Sequence, residues 1–435
     1  MSFTQGVVIY GLIDATRFYS ECTSIYKPEQ RTLPVLVTAG QGISIAANRT
    51  SSKLGISKFR PIWESIDKLQ AHRGLVYKAN FSCFGHISDR YMFSVERYAE
   101  GFRTFRYSVD ELFISLEHLH SINVCLADYI TGLRKTVYRE TGVPVGAGVG
   151  QTLVLAKAAS WAAKNVEPFR GQCILTGEVE TDAILNKMPV DSLWNIGPQY
   201  ARYLKNEGIM TALELKNCNP RTYQKRYSIN VANVINELNG ISVFCYSDLK
   251  EKKKQIWSTL SYRDRLRGPD AIFGEIAHHC AEAMLKVRKQ ESQAKKVSIT
   301  LSTSPHDKCR PFIKREDIEF EFATSDTGYV LNRLREIYHT ILPDNLTLQP
   351  IYKVSVGITQ IIDCDNKQYE LFDGEVDSNS AVTSVLDSIN NRFGKGTITY
   401  GSQQRKYSES AGNIKFSRLE DYFTDLEDLI KVKCI

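Results

Sequence analysis

Phe105-Arg106-Tyr107-Ser108-Val109-Asp110-Glu111-Leu112-Phe113-Ile114-Ser115-Leu116 is two apolar runs meeting at a pair of adjacent carboxylates. A hairpin over this stretch puts Asp110 and Glu111 at its exposed tip. Turn chemistry does not account for them, because a two-residue hairpin loop needs positive φ and favours Asn, Asp or Gly followed by Gly. Neighbouring anions also repel, and a divalent cation shared with a third carboxylate keeps both ionised. The stretch predicts a sheet that presents acids at one end.

Upstream, Val7-Val8-Ile9-Tyr10-Gly11-Leu12-Ile13 is a nearly unbroken apolar run that suits a strand buried on both faces, and it ends at Asp14. If that strand lies beside the hairpin, Asp14, Asp110 and Glu111 converge. Such a cluster holds two magnesium ions for phosphoryl or nucleotidyl transfer. Each acid alone is more often a turn or strand-end residue; the combination carries the reading.

Around these anchors the chain reads as α+β. A helix begins near Phe18, Pro34 to Val37 is a strand, and Ser44 to Lys53 passes from strand into a helix stopped by Gly55. Val143 to Gly150 is a glycine-rich strand leading into an alanine-rich helix from Gln151 to Lys164, on which Lys157 and Lys164 share a face. Met188 to Leu215 reads as short helices with a turn at Trp194 to Pro198, and the charged segment Ser247 to Gln255 as a linker. Strands at Ile256, Lys296, Asp317 and Tyr352, with helices Asp270 to Gln290 and Thr327 to Leu342, make a βαββαβ unit, and one further helix spans Ala381 to Phe393.

With 435 residues, 43% of them hydrophobic, the chain has material for two to four domains. No apolar stretch reaches the roughly 18 residues of a membrane span. The N-terminus lacks the pattern of a signal peptide, so a cytoplasmic protein with no membrane partner is expected. Ten cysteines lie mostly among hydrophobic neighbours with no Cys-x-x-Cys pair, which predicts buried thiols rather than zinc ligands or disulfides. Adjacent His278 and His279 on one helix face different directions and make a poor metal site. The net charge of +6 is modest, but Lys250 and Lys252 to Lys254 form a basic run and a second basic group extends from Arg263 to Lys296. Beside the acidic cluster, those runs suit a polyanionic partner.

Taken together, these residues resemble the Y-family, or translesion, DNA polymerases from Gly11 to about Gln404. The likeness is carried by Asp14 with Phe18-Tyr19, Asn48 with Lys53-Leu54-Gly55, and Tyr107 to Glu111. It continues through Gly148 to Thr152, Leu155-Ala156-Lys157, Ala162-Ala163-Lys164, Pro189-Val190-Asp191 and Trp194 to Gly197. The resemblance implies a right-hand polymerase: palm 1–17 and 81–171, fingers 18–80, a helix-hairpin-helix thumb 172–247, linker 248–255, little finger 256–362 and a tail 363–435.

By the same resemblance Asp14, Asp110, Glu111 and the carbonyl of Ala15 would hold two Mg2+ ions. Tyr19 would be the steric gate against a ribose 2′ hydroxyl, and Arg17, Phe18, Arg49 and Lys164 would meet the incoming nucleotide. Gln368-Tyr369-Glu370-Leu371-Phe372 resembles a sliding-clamp peptide, Leu371 and Phe372 filling an apolar pocket and Gln368 bonding its rim. The implied activity is low-fidelity synthesis past damaged bases in the SOS response, on primer-template DNA with dNTP. A UmuD-like dimer and a RecA filament are the further partners implied.

The chain departs from that pattern. Ser52 stands where Arg or Lys is usual and Arg49 where tyrosine is frequent, so Arg49 or Lys53 is expected to supply the charge. Asn195 replaces a common glycine, although Gly197 and a helix N-terminus suited to a DNA phosphate remain. The short Gly40 to Gly42 loop implies an open lid over the templating base. These departures motivate a rival reading, a noncatalytic DNA- and clamp-binding subunit. A nucleotide cyclase sharing the palm would need neither thumb, basic little finger nor clamp peptide.

Overall fold

A computed structural model describes residues 9–39, 42–116, 124–169, 171–245, 252–364, 380–394 and 396–403. They form two compact units, one of residues up to 245 and the other of residues from 252 to 403. The clamp-like peptide Gln368 to Phe372, residues 248–251 of the linker and Gly40 lie outside the described residues.

The first unit begins with strand β1 (Tyr10–Ala15), helix α1 (Phe18–Ile25), β2 (Val35–Ala39), β3 (Ile43–Ala47), α2 (Arg49–Lys53), α3 (Ile66–Ala71), β4 (Leu75–Lys78) and α4 (Phe81–Tyr98). It continues through β5 (Thr104–Arg106), β6 (Glu111–Ser115), α5 (Leu126–Thr141), β7 (Val145–Gly150), α6 (Leu153–Asn165) and β8 (Gln172–Leu175). Five strands pair in the order β5-β6-β1-β7-β8, with β1 central and antiparallel to both neighbours. A separate three-stranded sheet runs β3-β2-β4.

The large sheet is covered on both faces, which is why β1 reads as one apolar run. Ile9, Ile13, Leu112, Ile114, Val145, Ala147 and Val149 pack with residues of α4 and α5, including Tyr91, Val95, Leu133 and Val137. On the opposite face Leu12 and Phe113 pack with Leu153 and Ala156 of α6. Strand alternation therefore turns Asp14 and Glu111 toward α6.

Five short helices complete the unit: α7 (Glu178–Lys187), α8 (Pro198–Asn206), α9 (Ala212–Lys216), α10 (Pro220–Arg226) and α11 (Ile229–Leu238). Leu185, Leu193, Leu204, Leu215 and Ile235 are among the residues of their shared core. Thr211 caps α9 in a reciprocal box with Glu214.

The second unit holds β9 (Ile256–Leu266), α12 (Pro269–Lys289), β10 (Ser292–Ser302), β11 (Ile313–Thr324), α13 (Thr327–Ile337), β12 (Ile351–Asp363) and α14 (Ser380–Phe393). Its sheet is wholly antiparallel in the order β11-β10-β12-β9. Ile272, Ile276, Met284, Val330 and Leu334 of α12 and α13 bury one face against Val297, Ile299, Val354 and Val356. His279 is buried there, bonded to the hydroxyls of Ser258 at 2.8 Å and Tyr262 at 3.0 Å. Among the described residues no helix is long and apolar enough to cross a membrane.

Candidate active site

The hairpin differs from its sequence reading. Strand β5 ends at Arg106, residues 107–110 form the connection, and Glu111 is the first residue of β6, so neither acid sits at an exposed tip. The backbone N–H groups of Tyr107 and Ser108 donate to the Glu111 carbonyl at 3.0 and 3.1 Å, folding the connection back on itself. Asp110 is held from two sides. Its carbonyl accepts from Ala15 N at 2.8 Å and from the buried Tyr91 hydroxyl at 2.9 Å, and its carboxylate accepts from Ser108 Oγ at 2.9 Å. Both acids are half-buried.

Asp14 lies directly across from Glu111 in the β1–β6 register. Asp14 and Glu111 are thus brought together at one end of two adjacent strands, and Asp110 stands next to them in the connection, its carboxylate on Ser108. On the far side of β1, Gly146, Gly148 and Gly150 alternate on the face that meets α6. A Cβ at Gly148 would lie 2.1 Å from Ser160 N and 2.4 Å from Ala156 O, and one at Gly150 2.6 Å from the Leu155 carbonyl carbon. Glycine there lets α6 lie directly on the strand.

That close approach delivers two ammonium groups. Lys164 pairs with Asp14, and Lys157 reaches both Glu111 oxygens at 3.0 and 3.2 Å. Lys157 also stands 4.4 Å from the Tyr107 ring centroid and 5.4 Å from that of Trp194. The two rings are joined by Trp194 Nε1–H donating to the Tyr107 hydroxyl at 3.0 Å. Lys157 was not among the predicted site residues. Its signal was the seven-residue spacing from Lys164, which puts both on one helix face.

Burial is the largest influence on Asp14, which is 6% exposed; it raises the carboxyl pKa from 3.8 to about 6, with Glu111 and Asp110 adding and Lys164 opposing. A site that raises the proton affinity of an acid in this way also favours another cation. Asp, Glu and backbone carbonyls are the hard oxygen donors that suit magnesium. Among the described residues no three His, Cys, Asp or Glu side chains stand close enough to ligate one ion; Asp14 and Glu111 are each paired with a lysine instead.

Tyr19 sits half-buried in an aromatic cluster, its ring centroid 5.0 Å from Phe84, 5.6 Å from Phe18 and 6.1 Å from Phe81. Burial, then the nearby charge of Asp110, raises its hydroxyl pKa. Arg17 precedes α1 in a left-handed conformation (φ 52°), uncommon for a residue with a side chain. Its guanidinium donates to Ala47 O at 3.1 Å and to Ser52 Oγ at 2.6 Å. Asn48 fixes α2 beneath it by accepting from Ser51 N at 2.9 Å and Val35 N at 3.1 Å. Arg49, in the first turn of α2, is exposed. The cation that lies on Ser52 is therefore Arg17.

Asn195 takes φ 66°, the left-handed region that asparagine tolerates better than most residues, so the missing glycine is accommodated. Gly197 and Pro198 then open α8 at its cap and first positions.

A five-stranded sheet whose central strand and hairpin set Asp14 and Glu111 against a lysine-bearing helix, together with a separate antiparallel α+β unit, fits a polymerase fold. Two models of the impB/mucB/samB family match, the family model over residues 13–161 and its C-terminal domain over 253–371. The chain belongs to that family, and is a UmuC-like member of the Y-family, a DNA-directed DNA polymerase. It is 27% identical to SamB of Salmonella typhimurium over 91% of this chain and 93% of that one. It is 24% identical to UmuC of Salmonella typhimurium strain LT2 over 98% and 100%. A solved Y-family DNA polymerase chimera of Dbh and Dpo4 superposes with a TM-score of 0.63 at 18% identity, covering 82% of this chain and 99% of the chimera.

Proposed function

We propose that this polymerase carries out low-fidelity translesion synthesis in the SOS response, by nucleotidyl transfer at two Mg2+ ions held by Asp14, Asp110, Glu111 and the Ala15 carbonyl. The observation that carries the reading is the Asp14–Glu111 register, with Asp110 beside it and α6 lysines on both partners. Bound there, magnesium lowers the pKa of the primer 3′ hydroxyl and neutralises the triphosphate and departing pyrophosphate. Lys164, released from Asp14 when a metal takes that carboxylate, turns to the triphosphate with Arg17 and Arg49. Tyr19, on Phe18, lies under the sugar as the gate.

In this reading the five-stranded sheet is the palm, which through β8 runs to Leu175 rather than ending at 171, residues 18–80 are the fingers, the helices after β8 up to 247 the thumb, and residues 256–362 of the second unit the little finger. The basic run at Lys250 to Lys254 grips phosphates without reading sequence, which makes binding salt-dependent. Gln368, Leu371 and Phe372 engage the sliding clamp, and a UmuD-like dimer and RecA filament join on cytoplasmic DNA.

Primer extension with Mg2+ on undamaged and abasic templates, with and without clamp and accessory proteins, tests the proposal. Extension that crosses the abasic site and is abolished by Asp110→Asn is expected. A wild-type chain that extends no primer under any of these conditions favours the noncatalytic subunit.

A further inference from the structure

One ring beside the carboxylates comes from outside the five-stranded sheet. Trp194 lies between the single turn Val190–Ser192 and α8, among the short helices that follow β8. Its indole nevertheless packs on Phe113 of β6 and on Tyr107 at the start of the connection, with ring centroids 6.4 and 5.7 Å away. The Trp194 and Tyr107 rings stand at 90°, the edge-to-face arrangement that aromatic pairs favour. The 3.0 Å hydrogen bond from Trp194 Nε1–H to the Tyr107 hydroxyl fixes that angle.

Trp194 is mounted from behind. Phe244 meets it edge-to-face at 5.4 Å, and the backbone N–H groups of Val243 and Phe244 donate to the Glu237 carboxylate at 2.7 and 2.9 Å. Glu237 is fully buried and also accepts from Val154 N, in the first turn of α6, at 3.2 Å. Backbone donors at a helix N-terminus favour that buried charge. One carboxylate thus ties the short helices, the chain that leaves them and the lysine-bearing helix into a single body.

Into the corner between the two rings α6 delivers the Lys157 ammonium, 4.4 Å from the Tyr107 centroid and 5.4 Å from that of Trp194. The same ammonium reaches both Glu111 oxygens, at 3.0 and 3.2 Å. Lys157 and Glu111 are only 15% and 19% exposed, so water screens these attractions little. A lysine stem is flexible and does not hold its charge at one point unaided. We infer that Trp194 is a positioning residue for nucleotidyl transfer: with Tyr107 it boxes the Lys157 ammonium, and through that ammonium it sets the Glu111 carboxylate. The inference rests on the polymerase reading. Trp194 acts on where Glu111 stands, so its loss falls on turnover and spares the nucleotide contacts proposed at Arg17, Arg49 and Lys164.

The kinetic test is single-nucleotide incorporation by the full chain on an undamaged primer-template, with kcat and KM for dNTP read separately. Trp194→Ala is expected to lower kcat about 30-fold, the worth of a desolvated cation–ring contact, and to keep KM within about threefold of wild type. Trp194→Phe keeps a ring without the N–H, and Tyr107→Phe removes the acceptor; each is expected to lower kcat about fivefold. Because both break the same hydrogen bond, the double variant is expected to lose about fivefold as well, whereas independent losses would multiply to about 25-fold. A second readout needs no catalysis. In the metal-free protein the indole N–H resonances of the four tryptophans are recorded, that of Trp194 being identified by its loss in Trp194→Phe. It is expected to move in Tyr107→Phe and in Lys157→Met, while those of Trp63, Trp161 and Trp257 stay. A Trp194 resonance unmoved in either variant overturns the box. Wild-type kcat in Trp194→Ala, a loss confined to KM, or multiplied losses in the double variant overturns the positioning role. A wild-type chain that extends no primer overturns the polymerase reading and the kinetic role with it, while the indole resonances still report whether the box exists.

Discussion

Replacing Gly148 by alanine isolates the contact that sets the active-site geometry. The new Cβ would meet Ser160 N at 2.1 Å, Ala156 O at 2.4 Å and the Ala159 carbonyl carbon at 2.7 Å. All three are backbone atoms of α6, so no side-chain rotation relieves the clash. Ordinary contact begins at 3.4 Å, about 1.3 Å farther than the approach to Ser160 N, and α6 must withdraw by about that distance or the strand must yield. Overpacking of this kind costs about 1–3 kcal/mol of stability. The catalytic cost is expected to be larger in effect, because α6 carries both Lys157 and Lys164 and a misplacement of about 1 Å costs on the order of 100-fold in rate. The assay is single-nucleotide incorporation on an undamaged primer-template, read as kcat/KM, beside a thermal melt. A fall of about 100-fold with a folded, modestly less stable protein is expected. Gly85→Ala is the control, since its Cβ would have no neighbour within 4 Å. Wild-type kcat/KM in Gly148→Ala would refute the claim that strand–helix spacing positions the site.

Three other outcomes follow from the same geometry. Arg17→Ala is expected to raise KM for dNTP about tenfold, the worth of a charge-assisted contact, with restoration by Ser52→Arg in the same chain; an unmoved KM would make Arg17 purely structural. Tyr19→Ala is expected to reduce the preference for dNTP over rNTP by about tenfold or more, read by parallel incorporation kinetics, and an unchanged ratio would remove the gate from Tyr19. Asp14 makes a prediction about stability. Its folded pKa of about 6 exceeds the 3.8 of an unperturbed carboxyl, so between those values the folded chain keeps a proton that the unfolded chain has released. Stability of the metal-free protein therefore falls as pH rises through that window, by at most about 3 kcal/mol. Asp14→Asn is expected to flatten the decline, and Mg2+ to stabilise wild type at pH 7 more than the variant; a wild-type melting profile flat from pH 4 to 6 would refute it.

Much of the site was legible in the sequence because strand periodicity and charge are local properties. The run before Asp14 announced a strand covered on both faces, and that burial is what places Asp14 opposite Glu111. The alternating strands and long helices of the second unit were equally plain, since each carries enough apolar residues at one period to leave little choice. What escaped was determined between elements. The backfolded connection at residues 107–110 depends on hydrogen bonds to Glu111, Ala15 and Tyr91, and no local signal distinguishes it from a tight two-residue turn. The roles of Gly148 and Gly150 could not be read from composition alone, because only the docked α6 reveals what a Cβ would strike.

Arg17 and Ser52 show why reading charge position by position misleads. A sequence comparison finds Ser52 lacking the usual cation and looks along α2 for a substitute, to Arg49 or Lys53. Yet α2 is tied to the sheet by Asn48, and its first residues sit beside the turn after β1, whose left-handed residue is Arg17. That φ sets Arg17 at the start of α1 with its guanidinium on Ser52 Oγ. A serine there is small enough to admit the guanidinium and offers an acceptor, whereas a second Arg or Lys would repel it. The cation is thus carried by the turn that follows Asp14 rather than by α2. Its position is tied to the same strand that ends in Asp14, so the cation proposed for the triphosphate and the carboxylate proposed for the metal move together.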